Sequence, residues 1–484
     1  MDHSPAYFYR FRPADTLLDR FHELENQEIF FASPKDLNDP LEGFKDIIWR
    51  CDKILWSNLL KHYLLCLTHA VMVALISGPD HKFPQDESFV FSNEATLPTR
   101  EFKELYRKIC ETFFRHEDAA VLPASLAARN SPVRRDELVA YLRALHLHAL
   151  NAVLQGFEES GGMPIRPPDD PFRAASAGRI PCGAMVHAQS GLELEHPDNP
   201  GIAEAISGWA EVVAIQQSLS LEYSGISLKN GPAWQTIISE FPRRHVSQLE
   251  QLLYSDWYTA CFVEDPTQAA MWGSYGDGHK GICLKFRAHQ DSNGAPAIKL
   301  NQIHGMRSGK GGPAPIYGEV GHPFCKVEYK PRFVEIDFFR SLGRLTRPML
   351  RYWFQDSAGN ISLLVQDIMS ESERWRKRYW EQSTTAITTK LTDWEHEKEF
   401  RLTLDGSIMD FTDPSSRKLK YRFEDLQGII FGIKTPTADK LKIMHIVEEK
   451  CRKEGRKEFE FHQAFYSRLK GKMEIANLDL LKFT

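Results

Sequence analysis

A long helical block divides two strand-rich parts of this chain, and this arrangement most constrains the fold. Within residues 46–255 the apolar residues recur mainly at helical spacing, most clearly over 47–77, 99–114 and 135–154. Short segments rich in β-branched and aromatic residues occur on both sides of the block. We therefore predict an α+β fold, with a central, mostly antiparallel sheet built from N- and C-terminal segments and a large helical insertion.

The same pattern gives the domain boundaries. Residues 1–45 would form the N-terminal part of the α+β core, as strand, helix and strand. Residues 46–255 would be the mainly helical insertion, with a Gly/Pro-rich loop at 156–201. Residues 256–484 would complete the core, with predicted strands at 257–264, 281–286, 324–329, 399–404 and 428–433.

Composition excludes several classes of protein. Among 484 residues, 60 Lys and Arg face 65 Asp and Glu, so the net charge of −5 attracts neither nucleic acid nor a membrane surface. The apolar run over 63–77 is shorter than the roughly 18–20 residues of a membrane span, which favours a buried helix. No leader is visible in the first residues, and the eight cysteines contain no CxxC pair. We expect a reduced, cytoplasmic protein with no metal site.

The segment after a short apolar strand at 29–32 is the first candidate site. Asn38, Asp39, Pro40 and Glu42 place polar and acidic groups on a loop that a rigid strand would present to a ligand. The alternative is a plain turn, because Asn and Asp hydrogen-bond nearby backbone and Pro fixes the next residue.

A second candidate site is the predicted strand near residue 400. Alternation places Glu399 and Arg401 on the face opposite the apolar residues, and Glu397 would share that face. Two carboxylates and a guanidinium together would orient a cationic or hydroxyl-bearing ligand, and we assign them as candidate catalytic residues. The alternative is a solvated face whose charges pair across strands.

A third candidate lies in residues 265–286. Trp272 and Tyr275 are at i and i+3 of a predicted helix and would offer a stacking surface for a base or a nicotinamide ring. The glycines that follow allow close approach of backbone to a ligand, and His279 would titrate near neutrality. The alternative for the aromatic pair is core packing.

A metal-dependent nuclease is a further alternative. Glu328 and Lys330 at i and i+2 would be co-facial on a strand, and a nuclease would need a second acid such as Asp39 or Glu42 beside them.

These segments, in this order, resemble a bacterial domain family of unknown function. The shared features are the loop with Asn-Asp-Pro and Glu, a Met-Trp-x-x-Tyr helix and a Glu-x-Glu-Phe-Arg strand, over about residues 7–44 and 258–447. The family carries no known reaction, so this resemblance implies no chemistry.

The strand order is also similar to ADP-ribosyltransferases. That resemblance implies that Arg10 anchors NAD through its phosphates, that Glu399 stabilises the oxocarbenium-like ribose and accepts a proton, and that Glu397 contacts the acceptor. Tyr275 or Trp272 would stack on nicotinamide. The Ser-Thr-Ser strand of such enzymes has no clear counterpart, because Ser383-Thr384-Thr385 lies too close to Glu397 for a full strand pair.

The expected function is that of a nucleotide-handling enzyme with NAD as its substrate. It would act as an ADP-ribosyltransferase or NAD glycohydrolase, of the kind used as toxins or in phage defence. The expected site combines Arg10, Asn38, Asp39, Glu42, Trp272, Tyr275 and His279 for binding with Glu397, Glu399 and Arg401 for catalysis. The alternative from another class is a non-catalytic ligand or partner sensor, in which the helical insertion docks a macromolecular acceptor or a protein partner.

Overall fold

The computed structural model forms two compact units. It describes residues 6–78, 80–84, 87–91, 94, 97–170, 173, 182–195, 201–223, 231–309, 312–370, 372–407 and 409–479. Unit 1 comprises residues 1–44, 256–333 and 384–484, and unit 2 comprises 45–255 and 334–383. Segment 334–383, which we assigned to the C-terminal core, thus groups with the helical block.

The strands and helices have the following bounds, in chain order. The strands are β1 (Tyr7–Arg12), β2 (Glu28–Phe30), β3 (Asp46–Ile48), β4 (Trp257–Val263), β5 (Ile282–Arg287), β6 (His289–Gln290), β7 (Pro296–Gly309), β8 (Gly312–Pro323), β9 (Cys325–Lys326), β10 (Glu328–Lys330), β11 (Glu335–Asp337), β12 (Thr389–Leu391), β13 (Glu399–Asp405), β14 (Lys418–Tyr421), β15 (Leu426–Phe431), β16 (Glu460–Ser467) and β17 (Lys472–Asn477). The helices are α1 (Glu23–Asn26), α2 (Lys53–Ser77), α3 (Arg100–Phe114), α4 (Glu117–Ala127), α5 (Arg135–Glu159), α6 (Cys182–Glu195), α7 (Ile202–Tyr223), α8 (Pro232–Gln235), α9 (Phe241–Gln248), α10 (Ala269–Ser274), α11 (Arg347–Phe354), α12 (Leu363–Ser370), α13 (Ser372–Ile387) and α14 (Thr437–Glu454).

An eight-stranded sheet organises unit 1. Its strand order is β17-β16-β15-β5-β1-β4-β13-β9, and every neighbouring pair is antiparallel except β15 and β16. The N-terminal strand β1 therefore lies inside the sheet, between strands that come more than two hundred residues later. The predicted α+β class and the construction of the sheet from both ends of the chain are confirmed.

Alternation along the strands separates two faces of this sheet. In β13 the residues Phe400, Leu402 and Leu404 join an apolar core with residues of a second sheet, of order β2-β14-β7-β6 with β8 beside β7, and with α14. Each fully buried Phe or Leu side chain contributes roughly 1.5–3 kcal/mol. The opposite face carries a smaller apolar cluster around Phe11 and Trp272. Glu399 and Arg401 alternate with the apolar residues of β13 and therefore lie on the side of the smaller cluster.

Unit 2 is mainly helical, with one parallel pair, β3 and β11. Asp52 caps α2, because its carboxylate accepts a hydrogen bond from the backbone N–H of Leu55 at 3.1 Å. Helix Lys53–Ser77 has the length and apolarity to cross a membrane, but 67% of its most apolar window is buried within the protein. The helix thus has the burial expected of a core helix.

Some predicted elements differ from the structure. The predicted helix over 47–77 begins only at Lys53, since residues 46–48 form β3. The Gly/Pro-rich segment 156–201 contains the end of α5 and all of α6, whereas 171–172, 174–181 and 196–200 lie outside the described residues. The segment over 305–315, which we did not predict as strand, belongs to the β7–β8 hairpin apart from residues 310–311, because cross-strand pairing outweighs the low β-propensity of Gly and Pro.

Candidate functional site

A cavity opens in the eight-stranded sheet where β1 and β4 separate. The two strands pair at a single position, Tyr9 opposite Val263, whereas β1 pairs with β5 along its whole length. Residues of both strands beyond that single pair line a cavity of about 210 Å³. A gap of this kind gives a ligand access to side chains in the middle of a sheet. The charged residues on its wall are Arg10, Arg12, Asp36, Lys390, Glu397 and Glu399.

Arg10 is a buried cation with unused hydrogen-bonding capacity. Its side chain is only 5% exposed, its Nη2 donates to the carbonyl of Phe30 at 2.8 Å, and its Nη1 has no partner among the described residues. Its Cζ lies 5.5 Å from the ring centroid of Phe262. Burial lowers the pKa of Arg10 to about 10, and the nearby Arg12 adds to this effect, so the group remains charged at neutral pH. A buried guanidinium without a carboxylate favours an anionic ligand.

Arg12, two residues further along β1, shows the contrast. Its Nε donates to Oε2 of Glu23 at 2.8 Å, and its Nη2 bonds the other oxygen of the same carboxylate. This bidentate pair leaves Arg12 neutralised by the protein itself. Arg10 is therefore the better candidate for binding an anion.

Beside the cavity lies a buried charge cluster of five residues: Glu42, Lys390, Glu397, Glu399 and Arg401. The Nζ of Lys390 lies 2.7 Å from Glu397, 2.8 Å from Glu399 and 3.4 Å from Glu42. Arg401 contacts Glu399 through Nε at 2.8 Å and Glu42 through Nη1 at 2.7 Å. All five side chains are at most 5% exposed. Three carboxylates and two cations carry a formal charge of −1, so the cluster attracts positive charge.

The cluster shifts the pKa values of its members in opposite directions. Burial raises the pKa of Glu399, but Arg401 and Lys390 outweigh it and lower this pKa to about 2. Burial raises the pKa of Glu42 above its usual value despite the same two cations. Burial lowers the pKa of Lys390, but its carboxylates outweigh burial and raise it. Glu399 is consequently a weak base that stays ionised, whereas Glu42 is the more readily protonated of these two carboxylates.

Glu397 occupies a different position from the one predicted. It ends a 3₁₀ helix, Thr392–Glu397, and Lys398 then adopts a left-handed conformation with φ of 46° before β13 begins. Its Oε1 accepts the hydroxyl hydrogen of Tyr275, and its Oε2 lies 2.7 Å from Lys390. Burial and then the bond to Glu397 raise the pKa of Tyr275, so this hydroxyl stays protonated. Glu397 thus faces the cavity from a turn and is bound by one cation and one neutral donor.

The glycine-rich turn after α10 positions Tyr275. A Cβ on Gly281 would lie 2.6 Å from the carbonyl oxygen of Arg12 and 2.9 Å from that of Gly276, closer than any side chain tolerates. The turn therefore packs directly against the end of β1. This close packing brings Tyr275 to the cavity wall beside Met271.

Five of the ten predicted site residues line the cavity: Arg10, Asn38, Tyr275, Glu397 and Glu399. Arg401 and Glu42 do not line the cavity. Arg401 pairs with Glu399 and Glu42, and Glu42 also pairs with Lys390. The structure thus brings the N-terminal loop and the strand near residue 400 together, as expected, but with Glu42 inside the charge cluster.

Three predicted binding residues do not reach the cavity wall. Trp272 is fully buried among apolar side chains, and its indole N–H donates to the carbonyl of Pro266 at 2.7 Å, so it cannot stack on a ligand. His279 has a φ of 72° in the turn and lies away from the cavity. Asp39 caps its own loop by accepting from the N–H of Leu41 at 2.9 Å. Trp272 and Asp39 thus have the core packing and the turn contact that were the alternatives for them.

The nuclease arrangement is also not formed. Glu328 is 64% exposed and pairs with Lys330 at 2.8 Å, whereas the candidate acid Glu42 is buried against Arg401. Tyr329, which lies between Glu328 and Lys330 in sequence, points to the opposite face of the strand. Its hydroxyl accepts a hydrogen bond from the N–H of Glu399 at 2.9 Å. Ser383-Thr384-Thr385, the nearest match to a transferase Ser-Thr-Ser strand, lies in helix α13.

Sequence reasoning missed two contributors to the site. Lys390, on the short strand β12, binds three of the carboxylates, and Cys261 of β4 lies on the cavity wall opposite Arg401 in the strand register. Lys390 is only seven residues before Glu397 in the same acidic motif. This closeness in sequence could have indicated that the lysine pairs with the glutamates. Burial raises the pKa of Cys261 well above its usual value, which makes this thiol a poor nucleophile.

Comparison with known proteins identifies one similarity. Residues 271–402 match a family described as a protein of unknown function (DUF2971). This range begins at Met271 in helix α10, just before the turn that carries Tyr275, and ends at Leu402, just after Arg401. The resemblance to a family of unknown function is thereby confirmed, whereas no match relates the chain to ADP-ribosyltransferases. No curated protein and no solved structure shows significant similarity to the chain.

Proposed function

We propose that unit 1 binds a nucleotide in the cavity between β1 and β4 and cleaves its N-glycosidic bond, with NAD as the substrate. The observation that carries this proposal is that Arg10 lines the same cavity as Glu397 and is a buried cation whose Nη1 has no hydrogen-bond partner among the described residues. Arg10 would bind a phosphate of the ligand, and Glu397 would face its ribose. The volume of about 210 Å³ is below the roughly 300–1,000 Å³ usual for drug-sized ligands, so it suits one portion of a dinucleotide.

The chemistry follows from the charge at the site. The bond between C1′ of the ribose and the nitrogen of nicotinamide breaks, and its electron pair leaves on neutral nicotinamide. The oxygen of water, or of an acceptor, forms a new bond to C1′ and gives its proton to Glu397. The negative charge of Glu397 and of the cluster stabilises the oxocarbenium-like ribose between these events.

We assign proton acceptance to Glu397 and a positioning role to Glu399. Glu399 is neutralised by Arg401 on both oxygens and by Lys390, and its low pKa makes it a weak base. Glu397 is bound by a single cation and by the neutral hydroxyl of Tyr275. Proton acceptance thus moves to Glu397 from Glu399, to which the resemblance to ADP-ribosyltransferases had assigned it. As part of the same proposal, the protein acts in the cytoplasm as a toxin or phage-defence effector.

Calorimetric titration tests the binding step. Wild-type protein is titrated with NAD and with ADP-ribose, beside Arg10→Lys, which keeps the charge but loses the planar fork, and Arg20→Lys, an exposed control. We expect Arg10→Lys to weaken binding at least about tenfold, or 1.4 kcal/mol, and Arg20→Lys to leave it unchanged. Equal binding by Arg10→Lys and wild type, or no binding by wild type, would refute the assigned anion site.

A non-catalytic ligand sensor is the second candidate. It is favoured by the charge cluster, in which each of the five residues already pairs with another member without any substrate. A sensor would bind NAD or ADP-ribose through Arg10 and release no nicotinamide. Product analysis on the protein used for the titration separates this function from the enzyme.

A further inference from the structure

Three side chains that commonly bind metal ions meet in the interior of unit 2. His62 and Cys66 lie on α2 and His245 on α9, and their potential ligand atoms are all within 4.8 Å of one another. The three residues are between 0% and 2% exposed. We propose that they bind a zinc ion, which joins α2 to α9. This site is independent of the cavity in unit 1.

The spacing on α2 suits a shared ion. His62 and Cys66 are at i and i+4, so they lie on the same side of the helix. The Sγ of Cys66 is 3.8 Å from both Nδ1 and Nε2 of His62, and the thiol donates to the carbonyl of Phe89 at 3.4 Å. With Zn–N near 2.1 Å and Zn–S near 2.3 Å, a tetrahedral ion requires a separation of roughly 3.6 Å between such atoms. The separation within this pair is therefore close to the one that a shared ion requires.

A backbone carbonyl fixes the tautomer of His62. Its Nε2 lies 2.8 Å from the carbonyl oxygen of Val90. A carbonyl only accepts hydrogen bonds, so Nε2 carries the hydrogen and Nδ1 keeps its lone pair. A second hydrogen bond of this kind is the usual support of a metal-binding histidine, because it fixes the orientation of the ring.

His245 supplies a ring nitrogen that has no partner. Its Nε2 is buried without a hydrogen bond among the described residues, which costs free energy unless a ligand satisfies it. Burial lowers the pKa of His245 well below its usual value and that of His62 to about 4. Both rings are therefore neutral at pH 7, the form that binds metals.

The site has room for a fourth ligand. Cys66 and His245 border a cavity of about 10 Å³, close to the volume that one water molecule requires. Three protein ligands and one water complete a tetrahedral zinc ion. Two imidazoles with one thiolate form a nitrogen and sulfur donor set that suits zinc. Since the residues are buried, we infer that the ion stabilises the fold.

Binding would release one proton for each ion. A cysteine thiol has an ordinary pKa of about 8.5, so it is mostly protonated at neutral pH without metal. When the Zn–S bond forms, the sulfur keeps its electron pair as a thiolate and the proton goes to solvent, while each histidine donates a lone pair. Affinity should therefore increase with pH.

The cysteine and histidine spacing in the sequence predicts no metal site, because two of the ligands are far in sequence from the third. The only local signal is the i and i+4 pair on α2, which occurs often by chance. His245 joins that pair only after α9 packs against α2.

Metal analysis of the full-length protein tests the site. Protein is saturated with Zn²⁺, passed into metal-free buffer and analysed for zinc, with Cys66→Ser, His245→Gln and the control His146→Gln treated alike. His146 is equally buried on α5 but bonds Tyr63 and the carbonyl of Ile237 instead. We expect about one zinc per chain in wild type and in the control, and loss of most of it in the other two variants.

A measurement on wild type alone covers the case in which the variants do not fold. Co²⁺ added to the metal-free protein should give a thiolate-to-cobalt charge-transfer band, with release of about one proton per ion. Wild type that retains no zinc and gives no such band would overturn the proposal. Zinc retained equally by Cys66→Ser, His245→Gln and wild type would overturn it as well.

Discussion

Tyr275 donates its hydroxyl hydrogen to Oε1 of Glu397 across 122 positions of sequence. The tyrosine comes from the turn after α10 and the glutamate from the turn before β13, and β1 and β4 lie between those elements in the sheet. The bond therefore forms only in the folded unit 1. It orients the carboxylate to which we assign the chemical step.

Replacing Tyr275 by Phe should reduce NAD cleavage without unfolding the protein. The ring keeps its packing, but Glu397 loses the donor at Oε1. A hydrogen bond to a charged group is worth about 1.5–3 kcal/mol, which corresponds to a roughly ten- to hundredfold lower rate. Steady-state release of nicotinamide measures this effect, with the exposed Tyr466→Phe as control. An unchanged rate in Tyr275→Phe would remove the tyrosine from the mechanism.

Replacing Arg401 by Met should destabilise unit 1 strongly. The change leaves Glu399 and Glu42 buried with only Lys390 as a cation, and loss of one partner of a buried ion pair costs about 3–5 kcal/mol. Urea unfolding measures the free energy. The exposed Arg452→Met on α14 should cost less than about 0.5 kcal/mol.

Neutralising Glu42 and Glu399, which lose their arginine partner in Arg401→Met, should restore part of the lost free energy of unfolding. The triple variant combines Arg401→Met with Glu42→Gln and Glu399→Gln. The one carboxylate of the cluster that remains, Glu397, is still paired with Lys390. The triple variant should therefore be more stable than Arg401→Met. If it is less stable by the sum of the separate losses, the charges do not act as a cluster.

The stability of the protein should depend on the ionisation of Glu399. Its pKa is about 2 in the fold against a usual value of 4.5, so the unfolded chain takes up a proton first as the pH falls. The stabilisation is complete above pH 4.5 and is lost as the pH falls toward 2. Between about pH 6 and about pH 3, the stability difference between wild type and Glu399→Gln should shrink by about 2 kcal/mol. A constant difference would show that Glu399 is not held by Arg401 and Lys390.

The close approach of the glycine turn to β1 gives a further prediction. Gly281→Ala places a Cβ against the backbone carbonyl of Arg12, which requires the turn or the strand to move. We expect a loss of about 1–3 kcal/mol and weaker ligand binding. Gly273→Ala is the matched control, since its Cβ meets nothing within 4 Å on helix α10 and should be neutral or slightly stabilising. Equal effects of the two changes would contradict the packing.

The fold could be predicted largely because periodicity is local. The alternation of Phe400, Leu402 and Leu404 marks one strand face without knowledge of its neighbours. The site was predicted only in part, because cavities depend on distant pairing. The sequence around Arg10 does not indicate that β1 and β4 pair at a single position and then separate. Likewise, Trp272 and Tyr275 had equal claims in sequence, and the packing around α10 buries one and leaves the other at the wall.

Release of nicotinamide from labelled NAD tests the central claim most directly. Wild type is compared with Glu397→Gln and with Glu395→Gln, an exposed acid on the same 3₁₀ helix. We predict that wild type and Glu395→Gln release nicotinamide and that Glu397→Gln lowers the rate at least about a hundredfold while it still binds ADP-ribose. Turnover by Glu397→Gln at the wild-type rate, or no turnover by wild type under conditions in which it binds NAD, would contradict the account.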